Sequence, residues 1–207
     1  MKRQIFKYSI IALFIAFALP FSAKAQTGER VWSIGLEAGP NFSKHGWDLD
    51  ETNFKTGFLV GGNLTYSVRN TYGVTGKLLY AQKGAELNNT KSTLNYVEIP
   101  VVGRLFFNKE GPFRPNIFAG PSFGFLTGAK YKVGDGDTQT VDNYKNTYKT
   151  FDFGLTGGLG FNYEVAPETR ILLDFRYTYG LSDISKSNSS SVNNQVIGIT
   201  AGISFGI

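Results

Sequence analysis

The chain has 207 residues, 15% of them aromatic, with 25 glycines, one methionine and no cysteine. The lack of cysteine excludes disulfides, thiolate metal sites, a cysteine nucleophile and an N-terminal lipid-modified cysteine. The formal charge of +5 falls to +1 beyond residue 25, because Lys2, Arg3, Lys7 and Lys24 precede it with no acid, so basicity is no argument for nucleic-acid binding.

Residues 1–25 are expected to be a signal peptide. A basic start is followed by an apolar run from Ile10 to Leu19, and Ala23-Lys24-Ala25 forms a small-x-small site before Gln26. The run is too short for a spanning helix. Residues 26–207 suffice for one domain, and no segment of helical period follows.

About eight strands are expected, joined alternately by short turns and longer polar loops. The first, Trp32 to Phe42, sets Trp32, Ile34, Leu36 and Ala38 against Ser33, Gly35, Glu37 and Gly39, and a loop from Ser43 to Asn53 follows. The second, about Lys55 to Val68, sets Phe58, Val60, Leu64 and Tyr66 against Gly57, Gly61, Asn63 and Thr65; Arg69-Asn70-Thr71 turns the chain. The third, about Tyr72 to Leu87, faces Tyr72, Val74, Leu78 and Tyr80 one way and Thr75, Lys77, Ala81 and Lys83 the other. A short loop around Asn88 to Ser92 leads to the fourth, Tyr96 to Phe107. There Val97, Ile99, Val101, Gly103, Leu105 and Phe107 alternate with Tyr96, Glu98, Pro100, Val102, Arg104 and Phe106.

After the turn Lys109 to Pro112, the fifth strand runs from about Pro115 to Thr127. The longest loop, about Gly128 to Lys149, separates it from the sixth, Thr150 to Val165, where Asp152 alternates with Phe151 and Phe153. Ala166 to Thr169 turns the chain into the seventh, Arg170 to Ile184, with Asp174 and Arg176 on its polar side. A loop from Ser185 to Asn193 precedes the last strand, where Ile197, Ile199, Ala201, Ile203 and Phe205 oppose Gly198, Thr200, Gly202 and Ser204.

One face of every strand is apolar and the other small, hydroxylic or charged, which is the pattern of a transmembrane β-barrel. Aromatic residues recur at the ends of the apolar faces. Trp32, Tyr66, Tyr72, Phe107, Tyr163 and Phe205 stand on the turn side, and Phe42, Phe58, Tyr80, Phe125, Phe151 and Tyr179 on the loop side, as two interfacial girdles. A soluble ligand-carrying barrel would reverse the faces. Here the apolar face is almost free of charge, while the other carries Glu37, Lys77, Lys83, Glu98, Arg104, Asp152, Asp174 and Arg176, four acids and four bases able to pair inside a filled interior. The expected fold is therefore all-β: an eight-stranded antiparallel up-and-down transmembrane β-barrel behind a signal peptide. Its termini are expected in the periplasm and its loops outside.

The segments Gly35-Leu36-Glu37-Ala38-Gly39-Pro40-Asn41-Phe42-Ser43, Leu79-Tyr80-Ala81-Gln82-Lys83-Gly84, Tyr96-Val97-Glu98-Ile99-Pro100, Phe151-Asp152-Phe153-Gly154 and Arg176-Tyr177-Thr178-Tyr179-Gly180-Leu181 resemble the PorT-like outer-membrane β-barrel family of Bacteroidetes. The resemblance runs from the first strand to the last; Pro40 departs from the β-branched or polar residue usual there. It implies an outer-membrane barrel of mostly unassigned function, whose namesake is linked to protein secretion, and it brings no catalytic residues.

Chemistry-bearing groups are few. His45 is the sole histidine, expected in the first loop near Ser43, Asp48 and Asp50, and it is the one candidate for a membrane hydrolase or acyltransferase; spacing alone sets no nucleophile–base pair. Gly134-Asp135-Gly136-Asp137 with Asp142 fails the calcium-hand pattern, because the twelfth position from Asp135 is Asn146. The expectation is a non-enzymatic scaffold with no cofactor, metal or nucleic-acid ligand. Its expected partners are outer-membrane lipid and lipopolysaccharide, and a secretion-apparatus or surface protein.

Overall fold

The computed structural model describes residues 30–47, 52–69, 71–108, 111–187 and 191–207. The expected signal peptide lies outside them, as do Asp48 and Asp50. Eight long strands account for most of the described chain: β1 (Arg30–Trp47), β2 (Lys55–Val68), β3 (Tyr72–Leu87), β4 (Thr90–Phe106), β5 (Phe113–Val133), β7 (Phe151–Ala166), β8 (Thr169–Gly180) and β9 (Val192–Gly206). A two-residue strand β6 (Gln139–Thr140) and one helical turn α1 (Tyr144–Thr147) interrupt the longest connection. Each long strand pairs antiparallel with its neighbours in the chain, and β1 pairs with β9, so the meander closes into an eight-stranded barrel without a free edge.

The alternation read in the sequence becomes the two sides of the wall. Leu36, Val74, Leu78, Leu155, Leu159 and Tyr163 are each at least half exposed on the outside, whereas Glu37, Lys77, Glu98 and Asp174 are buried within. Large apolar side chains turned outward suit a hydrocarbon solvent, where they cost nothing, and the closed ladder satisfies the backbone groups that lipid cannot. Aromatic rings pair across strands near the ends of this band. Trp32 and Tyr66 have ring centroids 4.7 Å apart on the turn side, and Phe125 and Phe151 lie 5.6 Å apart on the loop side.

Two Gly-Pro pairs, Gly39-Pro40 in β1 and Gly120-Pro121 in β5, stand on strands opposite each other in the closed order. Proline has no N–H to give, and the ladder skips there between β1 and β9 and between β4 and β5. A Cβ on Gly39 would lie 1.9 Å from the Ile199 carbonyl oxygen, and one on Gly120 2.0 Å from that of Val101. Only glycine permits the wall to curl this tightly.

Several boundaries differ from the sequence expectation, the larger differences lying beyond the aromatic girdle on the loop side. β1 continues five residues past Phe42 to Trp47, so Ser43 and His45 belong to a strand and not to a loop. The expected loop Asn88 to Ser92 is a two-residue turn, Asn88-Asn89, with φ of 47° and 61°; asparagine tolerates the left-handed conformation that such a hairpin turn requires. β5 runs on to Val133, β8 stops at Gly180, and β9 starts at Val192, inside the expected loop. Above the membrane both faces of a strand meet polar surroundings, so the period-two signal that marks a strand in lipid fades.

Candidate functional site

The lumen is the chemically distinctive part of the molecule, and it is filled in two charged layers. In the layer nearer the turns, β3 supplies Lys77, β1 Glu37, β8 Asp174 and β4 Arg104. Lys77 Nζ bridges Glu37 Oε1 at 2.7 Å and Asp174 Oδ2 at 2.9 Å. Arg104 grips Asp174 with both terminal nitrogens, Nη1 donating to Oδ1 at 3.1 Å, and also donates from Nη1 to Asn116 Oδ1 at 2.7 Å and from Nε to Thr75 Oγ1 at 3.1 Å. Its guanidinium lies 4.5 Å from the ring centre of Phe118, and Asn63 Nδ2 donates at 3.0 Å to Glu37 Oε2, which also accepts from Lys77 Nζ at 2.9 Å. Two acids face two bases here, with most of their hydrogen-bonding capacity used inside the protein.

In the layer nearer the loops, Lys83 Nζ lies 2.9 Å from Glu98 Oε1 and 3.2 Å from Asp152 Oδ2, while Arg176 Nη2 donates to Glu98 Oε2 at 2.8 Å. Asn194 and Ser182 donate to the two Asp152 oxygens at 2.8 Å and 3.1 Å, and the Tyr96 ring lies 4.7 Å from the Lys83 ammonium. All eight charged residues singled out in the sequence are thus buried in the lumen, four in each layer. The structure does not join Arg104 to Glu98, its neighbour on the same strand; six residues of strand separate them, about 20 Å.

Sequence reasoning assigned none of the uncharged members to the network. Asn63, Asn116, Phe118 and Tyr96 complete the layers, and Leu59, Leu79 and Ala81 form a small apolar cluster. Parity along each strand places them inside, but nothing in spacing says which neighbours they meet. Gly160 is another such residue: a Cβ there would sit 2.5 Å from Asn116 Oδ1 and 2.7 Å from Arg104 Nη1, where the turn-side layer converges.

The loop end is capped by apolar packing. Leu94, Tyr96, Leu126, Ala129, Ile184 and Val192 make a buried cluster, onto which Val141, Tyr144 and Tyr148 fold back from the long connection. At the turn end a cavity of about 20 Å³ remains among Glu37, Asn63, Arg104, Arg114 and Arg170, room for roughly one water molecule.

His45 is not a solvated loop residue. It projects inward from β1 beside Asn194, is 6% exposed, and its backbone exchanges hydrogen bonds with Thr52, N–H to Oγ1 at 3.1 Å and Oγ1 to the carbonyl at 2.7 Å. It lies three residues beyond Phe42 and its girdle, above the membrane band. Burial lowers the pKa of its imidazole to about 4, against a weaker upward pull from Asp152. Among the described residues neither Ser43 Oγ nor His45 Nε2 has a hydrogen-bond partner, so the two do not form a nucleophile–base pair. Among the described residues no cluster of metal-ligating side chains occurs.

Solved structures share this architecture. The crystal structure of Neisserial surface protein A (NspA) matches with a TM-score of 0.55 at 17% identity, covering 84% of this chain and 96% of that one. A major outer membrane protein from Thermus thermophilus matches with a TM-score of 0.53 at 12% identity, covering 86% and 99%. At such identities the likeness is one of fold, and no curated protein matches the sequence. Residues 24–186 match the family described as outer membrane protein beta-barrel domain. With its closed eight-stranded wall, outward apolar band and polar filled lumen, the chain belongs to that family of outer-membrane barrels.

Proposed function

We propose that the protein is a closed outer-membrane scaffold, neither a channel nor an enzyme, which serves protein secretion or surface adhesion by contacting a protein partner through its loop end. The observation that carries this reading is the double closure of the lumen. Two layers of ion pairs cross it, and the apolar cap of Leu94, Leu126, Ile184 and Val192 lies over the upper one. A lumen so filled leaves the exposed loop surface as the part free to meet a partner. The resemblance of the motif series to PorT-like barrels of Bacteroidetes supports secretion. In this reading residues 1–25 direct export, the termini lie in the periplasm, and the girdles contact lipid and lipopolysaccharide. The hydrolase or acyltransferase alternative rests on His45, whose Nε2 has no nucleophile hydrogen-bonded to it among the described residues.

The test has two arms. Purified barrel in planar bilayers is expected to give no discrete conductance steps. A deletion strain is expected to lose secretion or adhesion, restored by the wild-type gene and not by a variant in which residues 135–142 are replaced by glycine and serine but which still folds. Conductance steps, or full rescue by that variant, would overturn the reading.

A further inference from the structure

Three neighbouring strands outrun the rest of the wall at the loop end. β3 continues past Tyr80 to Leu87, β4 begins at Thr90 before Val97, and β5 continues past Phe125 to Val133. By contrast β7 begins at Phe151 and β8 ends at Gly180, level with the girdle. The β3–β4–β5 sheet therefore stands above the girdle as a paddle. About seven residues of strand span roughly 23 Å, and at the usual barrel tilt of about 40° the tip rises by roughly 15–20 Å.

The outer face of the paddle is basic. On β4, Lys91, Thr93 and Asn95 share the outward side of Val97, while Leu94 and Tyr96 turn inward into the apolar cap. Across the ladder Lys132 stands directly opposite Lys91, and Lys130 opposite Thr93, so three ammonium groups crowd one face of one hairpin. Directly opposite side chains have Cβ atoms about 4.5–5.5 Å apart, and like charges so placed are destabilising. The chain supplies little to offset them. Glu86, opposite Lys91 on β3, lies 3.6 Å from it in a pair open to solvent. Among the described residues neither Lys130 nor Lys132 forms an ion pair, with Asp135 and Asp137 just beyond β5 or with any other acid. Lys55, at the start of β2, adds to the crowding: burial, and then the charge of Lys91, lower its pKa.

A ladder that sets lysine against lysine calls for an anion from outside the chain. The face is turned away from the lumen and toward the surrounding leaflet, so the anion belongs to the layer around the barrel. Height selects its kind. The headgroup region of a phospholipid leaflet is only about 5–8 Å deep, which leaves phospholipid phosphates well below Lys91 and Lys132. The phosphorylated sugars of lipopolysaccharide stand higher, at the level of the paddle, and lysine meets phosphate as a point charge on a flexible stem.

We infer that the outer face of the β4–β5 hairpin is a docking surface for the phosphorylated sugars of lipopolysaccharide, held by Lys91, Lys130 and Lys132. The inference deepens the lipopolysaccharide contact of the preceding reading and rests on it in placing the loop end in the outer leaflet.

The full barrel in neutral detergent micelles would be titrated by calorimetry with rough lipopolysaccharide, the same lipopolysaccharide stripped of its phosphates, phosphatidylglycerol and inorganic phosphate. Saturable binding of the intact lipopolysaccharide is expected, weakening as salt screens the exposed charges. The stripped form, phosphatidylglycerol and inorganic phosphate are each expected to bind at least tenfold more weakly. The combined variant Lys91→Gln, Lys130→Gln and Lys132→Gln, checked for folding by heat-modifiable migration, should lose at least tenfold toward the intact form. Lys145→Gln with Lys186→Gln, in other segments of the loop end, should bind as the wild type does. No binding of the intact form, equal binding of any of the other three ligands, an unaltered triple variant, or an equal loss in the Lys145 and Lys186 variant overturns the inference. Micelles leave both barrel ends accessible, so such a result leaves the scaffold reading and the orientation of the barrel untouched.

Discussion

Arg104 offers the sharpest test of the interior. Replacing it with Met removes the two-pronged contact with Asp174 and leaves two acids, Glu37 and Asp174, sharing the single cation Lys77, 2.7 Å and 2.9 Å away. Removing one member of a buried ion pair typically costs about 3–5 kcal/mol, since the other charge stays desolvated. Two hydrogen bonds are lost as well. Thr75 Oγ1 keeps its contact with Thr65 at 2.9 Å, but Asn116 Oδ1 loses a donor at 2.7 Å, and a buried acceptor left bare costs about 1–3 kcal/mol. Lys77 stays beside Asp174 and offsets part of this, so the expected loss is about 3–5 kcal/mol in all. The pairing also predicts a rescue. Asp174→Asn alone leaves one acid against two bases, whereas the double variant leaves Lys77 with Glu37, one of each. The double variant should therefore be more stable than Arg104→Met by about 1–3 kcal/mol. Urea unfolding of the refolded barrel in lipid vesicles, followed by heat-modifiable migration, measures all three. A cost for Arg104→Met below about 1 kcal/mol, or strict additivity of the two substitutions, would refute the buried network.

Other parts of the structure are testable by the same means. Val101→Arg, on the outward face of β4, should cost about 2–4 kcal/mol near the bilayer midplane, because lipid offers the guanidinium no partner; a neutral result would mean that the faces are reversed. Gly160→Ala should destabilise by about 1–3 kcal/mol by overpacking the turn-side layer, read as a lower urea midpoint. His45 binds its proton near 6.5 in the unfolded chain and at about 4 in the barrel. The unfolded state therefore takes up the extra proton as pH falls through that window. Stability should drop on acidification from 6.5 to 4, by at most about 3 kcal/mol, and His45→Phe should flatten that part of the profile in pH-dependent urea titrations. A tag inserted at Gly136 should be labelled on intact cells and one at the Arg69–Thr71 turn should not; labelling at the turn alone would invert the proposed topology.

The membrane-spanning part of the fold was legible because lipid imposes a strict rule. A strand with lipid on one side and protein on the other must alternate, so Leu36 and Glu37, or Val101 and Val102, announce their faces by position alone. The same parity puts eight charged residues on the interior face. It could not say that Arg104 meets Asp174 from β8 and not Glu98 from its own strand, since that choice belongs to the stagger of strands around the closed barrel. Outside the membrane the rule lapses. Ser43, Lys44 and His45 carry no alternation of polarity, so the extension of β1 and the inward turn of His45 emerged only once β9 and the chain around Thr52 packed against it. The sequence by itself determined an eight-stranded barrel with its apolar face outward, because each strand must separately suit the bilayer. The ion-pair layers and the apolar cap join residues far apart in the chain, and only closure of the barrel brings them together.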